Sequence, residues 1–412
     1  MKILHLSAAS DSSGAGKATV LTHHALLKQG LDSKVLFLKS KLREPEIHSY
    51  HRKSFAHKLI RFFVTQLDQF PLLFYFKKSK RIFSPGLIGL NLKRNNLISW
   101  ADVIHIHWAN HGFIDISEIN KWDKPVIFTL RDMWTFTGGC HLAFECVNFK
   151  SNCGKCPSLG SDKEIDLSKL VLKRKLKHLS SANINWVAIS SWMQKKANES
   201  IVLKNKKISI IYSGVDTTIF KILNKTETRN KLNLPLNKTI ILMGAGDFRE
   251  RYKGFEHAKT LLNKVDKDYL VITFGSGCFK KGEVPQQIIH FGMINTTTLR
   301  ELYNVADVFI GPSIAEAMGK TFLEAQLCGT PVLCFDETGP ADIVKHKKTG
   351  YLAKFKDDGN LLEGLRFCLT TKMNREFIRS KSVNKFNINV IAKQYIKIYE
   401  KSIMDRSDCS SI

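Results

Sequence analysis

Two carboxylates, Glu316 and Glu324, stand on either side of Gly319, where a predicted strand and loop give way to a predicted helix. Because the first amides of a helix have no partner within it, those from Gly319 to Thr321 form an anion site that suits a diphosphate. Carboxylates accept hydrogen bonds, and a sugar or a ribose presents vicinal hydroxyls that donate them. The spacing fits two interpretations: a sugar-nucleotide site, or a helix start with acidic residues near the positive end of its dipole.

Four cysteines, Cys140, Cys146, Cys153 and Cys156, are separated by five, six and two residues. Four thiolates at such spacing predict a tetrahedral metal site, and a structural Zn²⁺ suits it best. The alternative is a group of reduced or redox-active cysteines without a metal. The chain has nine cysteines in all, and their odd number and scattered positions fit a reducing cytoplasm better than a disulfide framework.

A strand predicted at Asp102–Trp108 places His105 and His107 on one face, since side chains alternate along a strand. His107 lies nearer the carboxyl end, where open α/β sheets place their sites. We therefore expect His107 to act in the site, and His105 to be a buried histidine with satisfied ring nitrogens.

Parallel sheets covered by helices are expected to position these residues, because short apolar runs alternate with amphipathic helical stretches along the chain. The first strand, a glycine-containing loop, a helix from Lys17 and a strand at Lys34–Leu38 make a β-loop-α-β unit. The 412 residues suggest two α/β domains. A second series of strands after residue 200 places the boundary between residues 195 and 196, and the second domain is expected to extend to residue 384.

The chain carries 63 Lys and Arg against 37 Asp and Glu, a formal net charge of +26. Nucleic acid, anionic lipid and phosphorylated substrates are the partners that such an excess suggests. Nucleic acid is the weakest of the three, because the lysines are spread along the chain and no RNA-recognition, KH or zinc-finger signature is present. No apolar run approaches the ~20 residues that a bilayer span needs, and the first residues do not match a signal peptide.

Residues 51–94, the basic apolar segment, mix aromatic and aliphatic residues with many cations, and Asp68 is their only acidic residue. One interpretation is a surface that lies on an anionic membrane interface. The other is a pair of ordinary core-packing helices with a solvated face. The cations expected to make the membrane contact fall within the stretch Arg52–Arg81 and are Arg52, Lys53, Lys58, Arg61, Lys77, Lys78, Lys80 and Arg81.

The segment around Glu316 and Glu324 resembles the donor-site signature of the retaining GT-B glycosyltransferases of family 4. Further stretches resemble the same family at the start of its second domain, at its Lys-Gly pair and at its glycine-rich loop. The matching residues are Pro312-Ser313, Glu316, Glu324-Ala325, Gly329-Thr330-Pro331-Val332, Ile208–Phe220, Lys253-Gly254 and Ser13–Lys17.

The resemblance implies a role for each matched residue. Glu316 would hold the transferred sugar, Glu324 would hold the ribose hydroxyls, and Lys253 would neutralise the departing diphosphate together with an arginine. That arginine does not align cleanly, so both Arg249 and Arg251 are candidates. The remaining residues implied in the donor site are Gly16, Met293, Gly319, Lys320 and Thr321.

Residues 125–157 resemble a subgroup of family 4 that makes capsule, exopolysaccharide and lipopolysaccharide. Arg131 stands where many members have His, and Asp132 is a catalytic candidate on the acceptor side. His107 is a second catalytic candidate, which the resemblance places near the transferred sugar. The resemblance implies a GT-B fold, with two Rossmann-like domains facing across a cleft and a helix at residues 385–412 crossing back to the first, acceptor-binding domain. It also implies that catalysis requires no metal, and no DxD-type carboxylate cluster is seen.

The implied reaction moves a sugar from a UDP- or GDP-sugar to a hydroxyl of a lipid-linked oligosaccharide, with retention of anomeric configuration. We expect a cytoplasmic protein, peripheral at the inner face of the cytoplasmic membrane, that binds no nucleic acid. Two alternatives stay open from the sequence: an epimerase of nucleotide sugars with the GT-B fold, and a basic nucleic-acid-binding protein.

Overall fold

A computed structural model describes residues 1–50, 55–79 and 81–410. The chain forms two compact units: unit 1 comprises Met1–Val215 and Ile388–Ile412, and unit 2 comprises Asp216–Asn387. Each unit is an α/β structure around a parallel sheet, which confirms the two Rossmann-like domains expected from the sequence. No helix in the described residues is both long and apolar enough to cross a membrane.

Unit 1 contains a sheet of seven parallel strands in the order β3-β2-β1-β4-β5-β6-β7. Its strands are buried on both faces, as in β1, where five of six residues are buried, because helices cover the sheet on each side. The strands are β1 Lys2–Ser7, β2 Asp32–Phe37, β3 Ile47–Ser49, β4 Val103–Trp108, β5 Val126–Leu130, β6 Ile184–Ala188 and β7 Ile208–Ile210. The helices are α1 Gly14–Lys28, α2 Phe55–Gln69, α3 Asn96–Trp100, α4 Leu167–Leu179, α5 Ser191–Glu199 and, after unit 2, α12 Ile388–Ser410.

Unit 2 contains six parallel strands in the order β10-β9-β8-β11-β12-β13. Asparagine side chains cap its helices α6, α8 and α11, at Asn224, Asn295 and Asn374, which fixes where these helices begin. The strands are β8 Ile240–Gly244, β9 Leu270–Phe274, β10 Gln287–His290, β11 Val308–Gly311, β12 Val332–Phe335 and β13 Gly350–Ala353. The helices are α6 Lys225–Lys231, α7 Phe255–Leu262, α8 Thr296–Val305, α9 Lys320–Leu327, α10 Asp358–Thr370 and α11 Arg375–Phe386.

The boundary between the units lies later than residues 195 and 196, where the sequence places it. β7, which the sequence assigns to the second domain, pairs with β6 and so completes the first sheet. Helix α12 also belongs to unit 1, where Ile391, Tyr395 and Tyr399 pack in one core cluster with Ile3 and Leu26. Unit 2 is thus inserted into the sequence of unit 1.

Candidate active site

Lys253 and Glu316 lie side by side in unit 2. The Nζ atom of Lys253 is 2.5 Å from Oε2 of Glu316, and the two side chains are only 19% and 18% exposed. Lys253 ends the 3₁₀ turn Arg251–Lys253 that follows β8, and Glu316 lies in the loop between β11 and α9. Both residues therefore follow neighbouring parallel strands at their carboxyl ends, where sites of open α/β sheets form.

Gly254 brings these two loops together. Its φ is +74°, and a Cβ there would lie 1.7 Å from the carbonyl oxygen of Pro312, so that a larger residue would push the loops apart. The amide of Ile314 donates a hydrogen bond to the carbonyl oxygen of Tyr252 at 2.9 Å, which joins the loops on the other side. The Lys-Gly pair in the sequence thus holds Lys253 against the loop that carries Glu316.

The first turn of α9 follows the same loop. Gly319, its N-cap residue, has a φ of +82° and makes no side-chain cap hydrogen bond. The first amides of a helix point along its axis, so the start of α9, with Lys320 and Thr321, has the form of an anion-binding helix end. The amide of Gly339 donates to the carbonyl oxygen of Glu316 at 2.9 Å and fixes the loop before it.

Glu324 lies one turn into α9 and is half-buried. The hydroxyl of Tyr303 donates to its Oε2 atom at 3.1 Å. Burial, and then the Glu324 charge, raise the pKa of Tyr303 well above its ordinary value, so this hydroxyl stays a donor. Tyr303 therefore holds the carboxylate of Glu324 in one orientation, a contact that the sequence motif does not predict.

The two candidate arginines differ in their surroundings. Both terminal nitrogens of Arg249 donate to the carboxylate of Glu283, at 2.9 and 3.1 Å, and its guanidinium also lies 4.4 Å from the ring centroid of Phe255. The hydrogen bonds from Arg249 lower the pKa of Glu283 to about 2. Arg249 and Arg251 are both exposed, as is Met293, whose side chain is 76% exposed. The structure thus commits Arg249 to Glu283.

In unit 1, the glycine-rich loop after β1 forms a close turn at the start of α1. Ser13 caps the helix by accepting a hydrogen bond from the amide of Gly16 at 3.1 Å. A Cβ at Gly16 would lie 1.9 Å from the carbonyl oxygen of Ser10, so only glycine fits the present backbone. The carboxylate of Asp11 accepts a 2.6 Å hydrogen bond from the amide of Lys41 and so joins the loop to the chain after β2.

His107 lies deeper than the sequence predicts. Its side chain is fully buried and both ring nitrogens are occupied: Nδ1 accepts from a terminal nitrogen of Arg131 at 2.9 Å, and Nε2 lies 2.9 Å from Nδ1 of His5. Because a guanidinium only donates, Nε2 of His107 carries the proton and donates to His5. Burial, followed by the charges of His105 and Arg131, lowers the pKa of His107 well below its ordinary value.

Both ring nitrogens of His107 thus have protein partners, and its catalytic role stays a prediction. In the structure His107 supports Arg131, the residue that follows β5. His105 is buried, as predicted, with its ring nitrogens 2.7 Å from the hydroxyls of Tyr399 and Thr129. His5, which no motif singles out, completes the group; only the register of β1 beside β4 brings it there.

Asp132 serves as an anchor for neighbouring groups. Its Oδ2 accepts hydrogen bonds from the indole of Trp108 at 2.6 Å and from His141 at 2.7 Å, and its Oδ1 accepts from the amide of Trp134 at 2.9 Å. Burial alone would raise the pKa of Asp132, but His141 and these hydrogen bonds outweigh it and hold the pKa below its ordinary value. Asp132, which the sequence predicts as a catalytic residue, thus has both carboxylate oxygens in hydrogen bonds with neighbouring groups.

The four cysteines line one small cavity with Gly138 and Ser168. Donors surround two of the sulfurs: the amide of Gly138 faces Cys153, and the hydroxyl of Ser168 and two amides face Cys156. Burial raises the pKa of Cys140 and of Cys153 to about 12, and all four are free thiols. The hydrogen bonds to Cys153 and Cys156 act against burial and lower the pKa of these thiols, but burial outweighs them, so the thiols keep their protons when no metal is bound.

The four-cysteine cluster and the buried histidines differ in how close their possible metal-ligating atoms lie to one another. Across residues 1–50, 55–79 and 81–410, the only trio whose ligand atoms all lie within 4.8 Å of one another is His5, His105 and His107. The cysteine sulfurs are more widely spaced. The histidine trio does not suit a cation, because the guanidinium of Arg131 lies 2.9 Å from His107 and a hydrogen bond already joins His107 to His5.

Many apolar side chains in the described part of the basic apolar segment are exposed, although Leu72, Phe83, Leu90 and Leu92 are buried. The exposed side chains include Phe55, which is 79% exposed, and Phe76, which is 93% exposed, together with Leu59, Ile60, Phe62, Phe63, Leu67, Phe70, Leu73, Phe74 and Ile82. Its acidic residue, Asp68, is buried and accepts a hydrogen bond from the amide of Leu87 at 2.8 Å. The exposed side chains named here are therefore not packed in the core of unit 1. Arg52, Lys53 and Lys80 lie outside the described residues.

Comparison with known protein families gives one match, to the family described as glycosyl transferases group 1, over residues 224–384. A D-inositol 3-phosphate glycosyltransferase of Jonesia denitrificans is 30% identical, over 78% of this chain and 76% of that protein. An uncharacterized glycosyltransferase of Methanocaldococcus jannaschii, MJ1607, is 24% identical over 75% of this chain and 85% of that protein.

A more partial relative is the N,N'-diacetylbacillosaminyl-diphospho-undecaprenol alpha-1,3-N-acetylgalactosaminyltransferase of Campylobacter jejuni, 24% identical over 49% of this chain and 56% of that protein. Among solved structures, a glycosyltransferase of Rickettsia africae has a TM-score of 0.66 at 18% identity, covering 98% of both chains. Anabaena Alr3699/HepE in complex with UDP has a TM-score of 0.66 at 14% identity, covering 97% of this chain and all of that one.

Proposed function

The chain belongs to the group 1 glycosyltransferases, and we propose that it transfers a sugar from a UDP-sugar to a hydroxyl of a lipid-linked glycan with retention of anomeric configuration. That it is a glycosyltransferase of GT-B fold follows from its family. The Lys253–Glu316 pair beside the uncapped start of α9 is the observation that carries the finer proposal. It places a cation, a carboxylate and helix amides at one edge of the sheet of unit 2.

Each of these groups has a distinct task in the proposed reaction. The amides at the start of α9 and the ammonium of Lys253 bind the diphosphate, whose negative charge grows as the bond to the sugar breaks. Glu316 accepts hydrogen bonds from the sugar hydroxyls, and Glu324, oriented by Tyr303, accepts them from the ribose. Both terminal nitrogens of Arg249 donate to Glu283, and we propose Arg251, the residue nearer to Lys253 in the sequence, as the second cation for the diphosphate.

The proposed transfer takes place on one face of the sugar. The bond from the anomeric carbon to the diphosphate oxygen breaks, and the acceptor oxygen forms a bond to the same carbon from the same side. The acceptor proton passes to an oxygen of the departing diphosphate, so no protein base is needed. This agrees with a site in which His107 and Asp132 are both occupied by other groups.

Substitution of the pair tests the function. With UDP-sugars as donors and lipid-linked oligosaccharides as acceptors, Glu316→Ala and Lys253→Ala should each lower turnover by at least about 100-fold, or ~3 kcal/mol, since each removes a charge at the reacting centre. Lys231→Ala is the matched control, because Lys231 forms a 2.5 Å ion pair with Glu301 in the same unit. Normal turnover by either site variant, with a normal unfolding curve, would refute the proposal.

The acceptor and the membrane contact belong to the same proposal. A relative that acts on an undecaprenol-linked substrate supports a lipid-linked acceptor. The exposed apolar face of α2 and of residues 70–76, with Lys77 and Lys78 beside it, has the composition of a surface that inserts among anionic headgroups. We propose that this face holds unit 1 on the inner face of the cytoplasmic membrane.

The four-cysteine cluster is proposed to bind a structural Zn²⁺. The donors that face Cys153 and Cys156 support this, and the sulfurs would need to move closer together on binding the metal. Metal analysis of purified protein should find one zinc per chain, and Cys153→Ser should remove it, whereas Cys278→Ser in unit 2 should not. Zinc-free protein with an unchanged unfolding temperature would refute the site.

A further inference from the structure

Arg131 carries a positive charge that no acidic group balances. It follows β5 at the carboxyl edge of the sheet of unit 1, and its side chain is half-buried. In the described part of the chain, no carboxylate lies within ion-pair distance of its guanidinium. A charge removed from water without a partner is unfavourable, so a half-buried cation of this kind indicates an anion that arrives with a ligand.

The groups around Arg131 are neutral. Its hydrogen bonds run to Nδ1 of His107, at 2.9 and 3.3 Å, and to the hydroxyl of Ser213, at 3.2 Å. Asp132, the next residue, forms no ion pair with Arg131; its Oδ2 accepts from Trp108 and His141, and its Oδ1 accepts from the amide of Trp134.

The hydrogen bonds of Arg131 also fix the plane of its guanidinium. His107 receives bonds from Nε and from one terminal nitrogen, and Ser213 receives one from the other terminal nitrogen. Each terminal nitrogen bears a second N–H, and no acceptor for it is found in the described residues. A guanidinium held on one side with N–H groups remaining on both terminal nitrogens suits bidentate binding of an oxyanion.

We propose that Arg131 binds an oxyanion of the acceptor, either a phosphate or the carboxylate of an acidic sugar. The inference rests on the proposed transferase function, in which the donor diphosphate is bound by Lys253 and α9 of unit 2. Because the donor diphosphate already has a cation and helix amides in unit 2, we assign the oxyanion bound by Arg131 to the second substrate. His107 and Ser213 are positioning residues, since they accept hydrogen bonds from the guanidinium, and His5 acts through its hydrogen bond with His107.

The test measures the unfolding temperature of the full chain in the presence of saturating UDP, so that the donor site is filled. Glucose 1-phosphate and glucuronate are added in separate arms, with neutral glucose and chloride at matched ionic strength as references. We expect one of the two anions to raise the unfolding temperature of the natural protein. The arm that responds identifies the anion as phosphate or carboxylate.

Three variants complete the experiment. Arg131→Gln should abolish the rise in unfolding temperature caused by the anion and keep the rise caused by UDP. Arg94→Gln, at an exposed arginine of the same unit, should keep both rises in unfolding temperature. If Arg131→Gln does not fold, Arg131→Lys replaces it; lysine keeps the charge without the planar fork, so the dissociation constant of the anion should rise roughly tenfold. An unchanged anion response in the Arg131 variant, or no response to either anion in the natural protein, overturns the inference. Loss of the UDP response in the natural protein would instead count against the proposed function.

Discussion

At the scale of single residues, charge and hydrogen bonding decide which candidates are available to a substrate. Lys253 and Glu316 were predicted from a sequence motif, and the structure brings their side chains together. His107 and Asp132 were predicted from residue type and strand position, and both are fully engaged with neighbours. A sequence pattern shows that a side chain lies near a site, but it does not show which of its atoms are already occupied.

The two arginines after β8 give a prediction at this scale. Arg251→Gln should raise the dissociation constant of UDP by about tenfold, the loss of one charge-assisted contact of ~1.4 kcal/mol, because Arg251 is the proposed second cation. Arg249→Gln should have a smaller effect, because Arg249 is bound to Glu283. Isothermal titration of both variants with UDP checks this, and a larger effect at Arg249 would reverse the assignment.

A buried histidine gives a pH dependence. His23 is fully buried, and burial, with the nearby His24, lowers its pKa to about 4. In the unfolded chain its pKa is about 6.5, so below that pH the unfolded state binds a proton that the folded state does not. The free energy of unfolding should therefore fall between pH 6.5 and pH 4, by about 3 kcal/mol for this group alone.

Urea unfolding at several pH values measures this effect. The natural protein should lose stability as the pH falls, and His23→Gln should lose less, because the substituted side chain does not titrate. The pKa values of His5, His105 and His107 are lowered in the same direction, chiefly by burial, so the variant keeps part of the slope. Identical slopes in the two proteins would show that His23 has the same pKa in the folded and the unfolded chain, which would contradict this prediction.

At the scale of elements, backbone conformation sets the site. The sequence predicts that a helix begins at Gly319, because a glycine follows a loop and precedes a helical pattern. What it does not predict is why glycine is required. A Cβ at Gly319 would lie 2.6 Å from Phe322 and 2.7 Å from Pro340, and both contacts come from packing that only the fold reveals. The same holds for Gly254, whose neighbour Pro312 is distant in sequence.

Glycine substitutions test the start of α9. Gly319→Ala should weaken UDP binding by at least about tenfold and lower stability by ~1–3 kcal/mol, since it combines a positive φ with a steric clash. Gly292→Ala is the matched control in unit 2: its φ is +63°, but no atom lies within 4 Å of the added Cβ. It should carry only the backbone strain and bind UDP normally. Equal losses of UDP affinity in both variants would mean that the start of α9 does not bind the diphosphate.

At the scale of the whole molecule, the chain has a net charge of +26 and divides into two units. The alternation of apolar runs and amphipathic stretches predicts two α/β units, and both are observed. The boundary could not be read from this pattern, because a short strand such as β7 carries no signal of which sheet it will join. The exposure of α2 could not be predicted from the sequence either, since an apolar stripe with flanking cations fits a core helix and a membrane-surface helix equally well.

Sedimentation with vesicles tests the membrane contact. The protein should bind vesicles rich in anionic lipid more tightly than zwitterionic ones, and Lys77→Glu with Lys78→Glu should weaken that binding at least tenfold, at ~1 kcal/mol per cation removed. Lys280→Glu with Lys281→Glu makes the same change of charge on exposed lysines of unit 2 and should have a much smaller effect. Equal losses from the two pairs would mean that net charge, rather than this face, governs the attraction.

The placement of α12 has a consequence for how the protein is made. The amide of Ile388 donates to the carbonyl oxygen of Val215 at 3.0 Å, so the chain leaves unit 1 and re-enters it at one point. During synthesis, the sheet of unit 1 emerges from the ribosome first, but Tyr395 and Tyr399 emerge only after all of unit 2. Until then the core cluster around Ile3 and Leu26 lacks the side chains of α12 that complete it. Unit 1 is therefore the first unit to be translated and the last to be completed. While unit 2 folds, the nascent chain must avoid aggregation through the apolar surface that α12 later covers.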